Sequence, residues 1–222
     1  MCGRYNLTRN PRSWRLTRPV RATLQAPFQP RYNIAPGQAV PVFRDGGDTL
    51  ELIEMTWGYV PHYVTDDKPK AQPINARIET VFEKPYFRES IQARRCLVPA
   101  TGYYEWQVTE TGKQPFHIHL PHGKPFLMAG VWDYQGGDPA RPTVAILTGP
   151  ASGHLAEIHD RSPILIPRKL VAQWFEQPDN RLLMPAGTSV FEAEPISTRI
   201  NNVGNEGPEV LQMLRTPASN NP

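Results

Sequence analysis

An α+β fold with strongly curved sheets and short, scattered helices is what this sequence predicts, and three observations carry that reading. Runs of β-branched and aromatic residues dominate from Cys96 onward, separated by clusters of Gly, Pro and Lys. Proline supplies 25 of the 222 residues, about twice average usage, and it breaks up long helices, which excludes a helical bundle or coiled coil. The hydrophobic share of 39% is that of an ordinary globular protein, so disorder is not the dominant state and the chain is long enough to bury a sizeable core.

Residues 39–60 read as a hairpin, with AVPVF on one side and LELIEMTWGYV, apolar at alternate positions, on the other. Asp45-Gly46-Gly47-Asp48 supplies the turn between them. Residues 61–73 are polar, carry three prolines and form a loop. Helical stretches are expected over 76–82 and 85–95, the second opened by a proline that a first turn accepts. Strands follow at CLVPATGYYEWQV, PFHIHL, FLMAGVWDY and TVAILTG. Helical periodicity returns at 151–158 and 167–175. Residues 216–222 are polar with two prolines and read as a disordered tail. With no internal repeat and no long linker, a single domain over 1–215 is expected.

No apolar run approaches the ~20 residues of a membrane span, and the first residues lack the apolar core of a secretory signal. A soluble, intracellular protein is therefore expected. Cys2 and Cys96 are the two cysteines, without a CxxC, so neither a disulfide scaffold nor a structural zinc site is encoded. If either matters chemically, it matters as a thiol.

The net charge of +3 hides an asymmetry. Residues 1–31 carry seven arginines (4, 9, 12, 15, 18, 21 and 31) and no Asp, Glu or Lys, whereas the remainder holds 17 basic against 21 acidic residues. Arginine is 18 of the 24 basic residues, and its planar fork matches phosphate oxygens in a bidentate way. Phosphate-bearing partners are one reading and solvated surface charge is the other. An organellar presequence would also be Arg-rich, but prolines at 11, 19 and 27 spoil its amphipathic helix.

Four places could hold chemistry. Removal of Met1 would give Cys2 a free amine beside its thiol, an aminothiol that can close a ring on an aldehyde or serve as an acyl-transfer nucleophile. A chance residue at a frayed terminus is the plain alternative. Glu105 lies in the aromatic run Tyr103-Tyr104-Glu105-Trp106, where desolvation would raise its pKa into the range of a general acid or base, unless it faces solvent. His159 follows a helical stretch and can shuttle protons near neutrality, or simply cap the chain's exit. Asn75 and Arg77 sit at an expected loop-to-helix junction, where they could bind an anion, orient a carbonyl, or only cap the helix. His117 and His119 share one strand face, but no further ligand shows metal-site spacing, so they read as structural and no metal is expected.

Taken together, eight segments in register resemble the SRAP family, the SOS response-associated peptidases that process abasic sites. They are MCGR at 1–4, RYNIAPGQ at 31–38, WGYVP at 57–61, NARIET at 75–80, RRCLVPATGYYEW at 94–106, AILTGPA at 145–151, IHDRSP at 158–163 and NNVGNEGPEV at 201–210. The resemblance implies an α+β fold of coiled sheets around a barrel-like core, with a positively charged groove for single-stranded DNA. It implies loss of Met1 by self-processing and a thiazolidine cross-link between Cys2 and a ring-opened abasic sugar. Asn75 would hold the terminal amine or the opened sugar, Glu105 would assist ring opening and imine formation, and His159 would move protons to the sugar oxygen and promote reversal. Arg4, Arg77 and Arg161 would face the DNA backbone, Thr148 would line the site, and Pro36 and Trp106 would shape it. Tyr63 stands where the family usually places a tryptophan against a base, and Ser162 where a methionine is common. Cys96 would be a buried structural thiol. No cofactor is implied. The partner would be single-stranded DNA containing abasic sites, bound by a monomer in the cytoplasm, at the nucleoid or in a nucleus according to the host. A cysteine peptidase or N-terminal-nucleophile amidohydrolase acting in trans, and a non-catalytic single-strand binding module, are the competing functions.

Overall fold

The structure, a computed structural model, describes residues 2–24, 26–176, 184–185 and 190–214. The expected tail at 216–222 lies outside them. Strands dominate and helices are short, as the composition requires, and the sheets are strongly curved.

Two sheets organise the chain. The first, ordered β14-β9-β8-β1-β3, is formed by β1 (Tyr5–Leu7), β3 (Arg31–Ile34), β8 (Gly102–Thr109), β9 (Gly112–His119) and β14 (Glu192–Pro195). The second contains β2 (Val20–Ala22), β4 (Ala39–Asp45), β5 (Leu50–Trp57), β6 (Asn75–Arg77), β7 (Arg95–Ala100), β10 (Phe126–Tyr134), β11 (Pro142–Pro150), β12 (Arg161–Leu165) and β13 (Met184–Pro185). Within it β10, β7, β4, β5 and β11 pair in succession, and β11 then pairs back onto β10, so the sheet closes on itself. Closure pairs away much of the sheet edge and leaves an interior filled by side chains. Phe43, Leu52, Leu97, Met128 and Ile146 are fully buried in that core.

The hairpin forms as the alternation requires. Buried positions in β5 alternate at Leu50 and Leu52 and again, after a change of phase, at Met55 and Trp57, and β4 meets β5 from Asp45↔Leu50 to Ala39↔Thr56. The turn is local chemistry: Asp45 Oδ1 accepts from Gly47 N at 3.0 Å, and Gly47 sits at φ +79°, a left-handed conformation that glycine adopts without strain.

All four expected helical stretches differ. Residues 75–77 are not a helix start but strand β6, pairing parallel with β11 through Ile146↔Asn75 and Thr148↔Arg77, and the chain then turns through 78–87. The unpaired edge of β11 offers backbone partners, and that tertiary pairing overrides a weak local periodicity. The helix expected over 85–95 shrinks to α1 (Arg88–Ala93). The stretch at 151–158 is a 3-10 turn over Gly153–Glu157, and that at 167–175 is a 3-10 turn followed by α2 (Val171–Glu176). Arg95, buried at the start of β7, gathers both helix ends: its Nε donates to Trp174 O at 2.6 Å and its Nη1 to Ile91 O and Gln92 O at 3.2 Å.

Close packing in the closed sheet gives a direct test. A Cβ on Gly130 in β10 would lie 2.9 Å from Cys96 Sγ and 3.0 Å from Ala145 O. Gly130→Ala should destabilise the fold by about 1–3 kcal/mol, read as a lower urea midpoint.

Candidate functional site

The site is assembled by β1. This strand lies between β3 and β8, with Tyr5 opposite both Ile34 and Tyr103. Tyr104 N donates to Arg4 O at 3.0 Å, so the antiparallel register carries the residues before Tyr5 along Glu105 and Trp106. Cys2 therefore ends beside Glu105, 0% exposed. Its backbone carbonyl accepts from Asn75 Nδ2 at 2.9 Å, which ties the terminal segment to β6 across the two sheets. Asn75 Oδ1 is buried with no hydrogen-bond partner among the described residues and remains an available acceptor.

Burial pushes the Cys2 thiol well up, and the Glu105 charge adds to the effect. The resting sulfur is therefore protonated at neutral pH. Glu105 is 3% exposed; burial pushes its carboxyl up to about 7, against the pull of the amino-terminal charge. It is poised to change protonation near neutrality.

His159 follows the 3-10 turn, with its side chain 28% exposed. Its Nε2 lies 3.9 Å from Glu105 Oε2. Its Nδ1 accepts from Arg161 N at 2.9 Å, which leaves Nε2 to carry the proton of the neutral ring and face Glu105. Burial lowers its pKa, and the amino-terminal charge lowers it further. When the ring is protonated, Asp160 Oδ1, 2.8 Å from Nδ1, stabilises the charge.

Arg161 opens β12 and is held by β11: its Nη2 donates to Thr148 O at 2.7 Å and to Glu79 Oε2 at 2.9 Å. The Arg161 hydrogen bond in turn lowers the Glu79 pKa. Thr148 is fully buried opposite Arg77, whose own side chain is exposed without an ion-pair partner among the described residues. Beside them lies a cavity of about 660 Å³ lined by Asn75, Arg77, Lys84, Tyr86 and Phe87 among others.

The structure thus brings Cys2, Asn75, Glu105 and His159 together, with Arg161, Thr148 and Arg77 alongside. Arg4 turns instead toward the closing segment, its Nη1 donating to Asn33 Oδ1 at 2.7 Å and Ile200 O at 2.8 Å. It also lies 6.0 Å from the Trp106 ring centroid. Trp106 donates through Nε1 to Asn201 Oδ1 at 2.8 Å. Pro36 is exposed in the turn completed by Gly37 at φ +83°, and Tyr63 is 53% exposed with its ring edge-on to His62. No hydrogen bond or ion pair among the described residues ties either to Cys2.

Five of the six other early arginines bond within the molecule. Arg18 pairs with Asp45 at 2.8 Å, Arg31 with Glu206 at 3.5 Å and Arg21 with Glu51, while Arg12 donates to Leu24 O and Ala26 O. His117 and His119 meet Glu194 on β14, a third candidate ligand that linear spacing could not reveal. Their rings are stacked, centroids 4.5 Å apart and planes 23° from parallel, so their in-plane lone pairs do not converge on one point. Holding a cation there would require one ring to turn.

Sequence reasoning missed Tyr5 and Tyr103. Both phenols are buried without a hydrogen-bond partner among the described residues, and both have their pKa raised, chiefly by burial and further by the Cys2 charge. Alternation gave a signal for Tyr103, which shares a strand face with Glu105. Glu79 was also missed, although it lies inside NARIET.

This arrangement defines a class: a curved-sheet protein that sinks a thiol from its first strand beside a buried carboxylate and an imidazole. The chain belongs to the SOS response associated peptidase (SRAP) family, whose model matches residues 1–203. It is 32% identical over 195 residues to the abasic site processing protein YoqW of Bacillus subtilis (strain 168), covering 83% of this chain and 87% of that one. It is 30% identical over 225 residues to the abasic site processing protein YedK of Escherichia coli (strain K12), covering 96% and 99%. A crystal structure of a protein from Bacteroides thetaiotaomicron superposes with a TM-score of 0.71 at 26% identity, over 82% of this chain and 85% of that one.

Proposed function

We propose that this protein processes abasic sites in single-stranded DNA by cross-linking itself to them through Cys2. The observation that carries the reading is the convergence of Cys2, Asn75, Glu105 and His159, with Glu105 at a pKa of about 7. The relatives YoqW and YedK are named abasic site processing proteins, which supports an abasic site as the target.

Hydrolysis of the Met1–Cys2 bond first releases methionine and leaves the Cys2 amine free. An abasic sugar is mostly a closed hemiacetal, so its aldehyde must be unmasked. Glu105 as carboxylate takes the proton of the C1 hydroxyl while His159 Nε2 donates one to the departing ring oxygen. The Cys2 amine then adds to the aldehyde carbon, and loss of one water gives an imine. The thiol adds across the C=N bond, its proton leaving through Glu105 and the imine nitrogen gaining one, to close a five-membered thiazolidine. Asn75 holds the Cys2 backbone, and its Oδ1 accepts from the amine. Arg77 and Arg161 face phosphates, Thr148 O fixes Arg161, and Pro36, Tyr63 and Trp106 offer apolar faces to bases along the strand. Arg4 acts indirectly, anchoring the first strand to the closing segment. Duplex DNA would bury the sugar that the site must reach.

Intact mass of the protein incubated with a single-stranded abasic oligonucleotide tests the proposal. The adduct is expected to weigh the sum of protein and DNA less methionine and one further water, with water regained on Met1 hydrolysis. A tetrahydrofuran analogue, which lacks the aldehyde, should give none. An equal adduct with the analogue, or none with the abasic strand, overturns it.

A further inference from the structure

A cavity of about 770 Å³ shares no lining residue with the Cys2 cluster. Arg9, Arg15, Lys124 and Arg168 line it, and among the described residues no Asp or Glu does. Elsewhere in the molecule Arg18, Arg21, Arg31, Arg44 and Arg161 each face a carboxylate. Among the described residues, these four cations have no ion-pair partner; Arg9 donates only to His122 O at 3.0 Å, and Arg168 lies 5.8 Å from the Trp14 ring centroid. The floor beneath them is apolar, formed chiefly by Trp14, Phe126 and Phe191, with Val190 53% exposed at the edge.

A cluster of uncompensated cations over an apolar floor favours a ligand that is both anionic and apolar. The aromatic faces argue against a nucleic-acid base. Trp14 already carries Arg168 on its ring and packs against Phe43 at 6.2 Å, while Phe126 and Phe191 meet edge to face at 5.4 Å and both abut Tyr103. No broad ring face is left for a base to stack on. A side chain such as Leu or Phe fills such a slot without stacking, and carboxylates flanking it along a peptide reach the rim. We propose that this cavity docks an acidic peptide segment carrying large apolar side chains, supplied by a partner protein.

Fluorescence anisotropy of a fluorescein-labelled heptapeptide, Asp-Glu-Leu-Asp-Phe-Asp-Glu, against the full chain tests this. Saturable binding with a Kd of about 10–100 μM is expected, weakened at least about tenfold when Leu and Phe of the peptide become Ser. The double variant Arg15→Glu/Lys124→Glu should weaken binding by at least about tenfold with an unchanged melting temperature. Val190→Asp, which adds one exposed negative charge, serves as a second variant should the double one fail to fold, and it should also weaken binding. The proposal is overturned by the absence of saturable binding up to about 1 mM. Equal binding of the Ser peptide, indifference to the charge changes, or displacement by a short oligothymidylate would overturn it equally, the last assigning the surface to nucleic acid.

Discussion

Cys2→Ala should leave less than about 1% of the wild-type heat-stable adduct on single-stranded abasic DNA, because the variant keeps an amine but loses the group that traps its product. An imine hydrolyses readily, and ring closure by sulfur makes the bond survive denaturation. Borohydride separates the two contributions: added during incubation, it should capture a residual imine adduct in Cys2→Ala, provided Met1 is still removed. Cys96 is the internal control. It is equally buried, its pKa is raised well above the ordinary value by burial, and it lies on β7 with no place in the site. Cys96→Ala should cross-link as the wild type does under conditions where it remains folded. A full yield of heat-stable adduct from Cys2→Ala would remove the thiol from the chemistry and the proposed function with it.

What could be read in the chain depended on how local its causes were. The hairpin at 39–60 was legible because alternation and an Asp-Gly turn are properties of a few neighbouring residues. Strand β1, three residues long, is too short to show a period, yet it delivers Cys2 to the site. Asn75 was expected at a helix start and lies on a strand, since parallel pairing with β11 is a contact across about seventy positions that no window contains. Glu105 was undecidable by alternation for a different reason. Tyr103 packs into the large core on one face of β8, while Tyr104 and Trp106 belong to a second small cluster with Ile200 and Val210, so both faces are covered. Three of the seven early arginines show the opposite case. Their density suggested phosphate, but the acidic partners of Arg18, Arg21 and Arg31 lie at Asp45, Glu51 and Glu206, beyond any local pattern.

Glu105→Gln should stabilise the protein while slowing cross-linking, and the pH dependence of each effect follows from the same carboxyl. Burial raises its pKa from 4.5 in the ordinary state to about 7 in the folded one. Between those values the native state binds more protons than the unfolded state, so stability falls as pH rises through that window. The whole displacement corresponds to at most about 3 kcal/mol at pH 8, and none of it is felt below about pH 4.5. A neutral amide at this position has no charge to desolvate. Urea unfolding should therefore show the variant more stable than the wild type by about 2–3 kcal/mol at pH 8, with the difference vanishing near pH 4. Catalysis runs the other way. The wild-type cross-linking rate should rise toward a plateau as pH passes through about 7 and the carboxylate forms, and the variant should lose about 10²–10⁴-fold of that rate together with this inflection. A variant that is slower but keeps the inflection would transfer the base role to another group, His159 being the nearest titrating neighbour. A variant with the wild-type rate would leave the burial of this carboxylate a cost without a catalytic return.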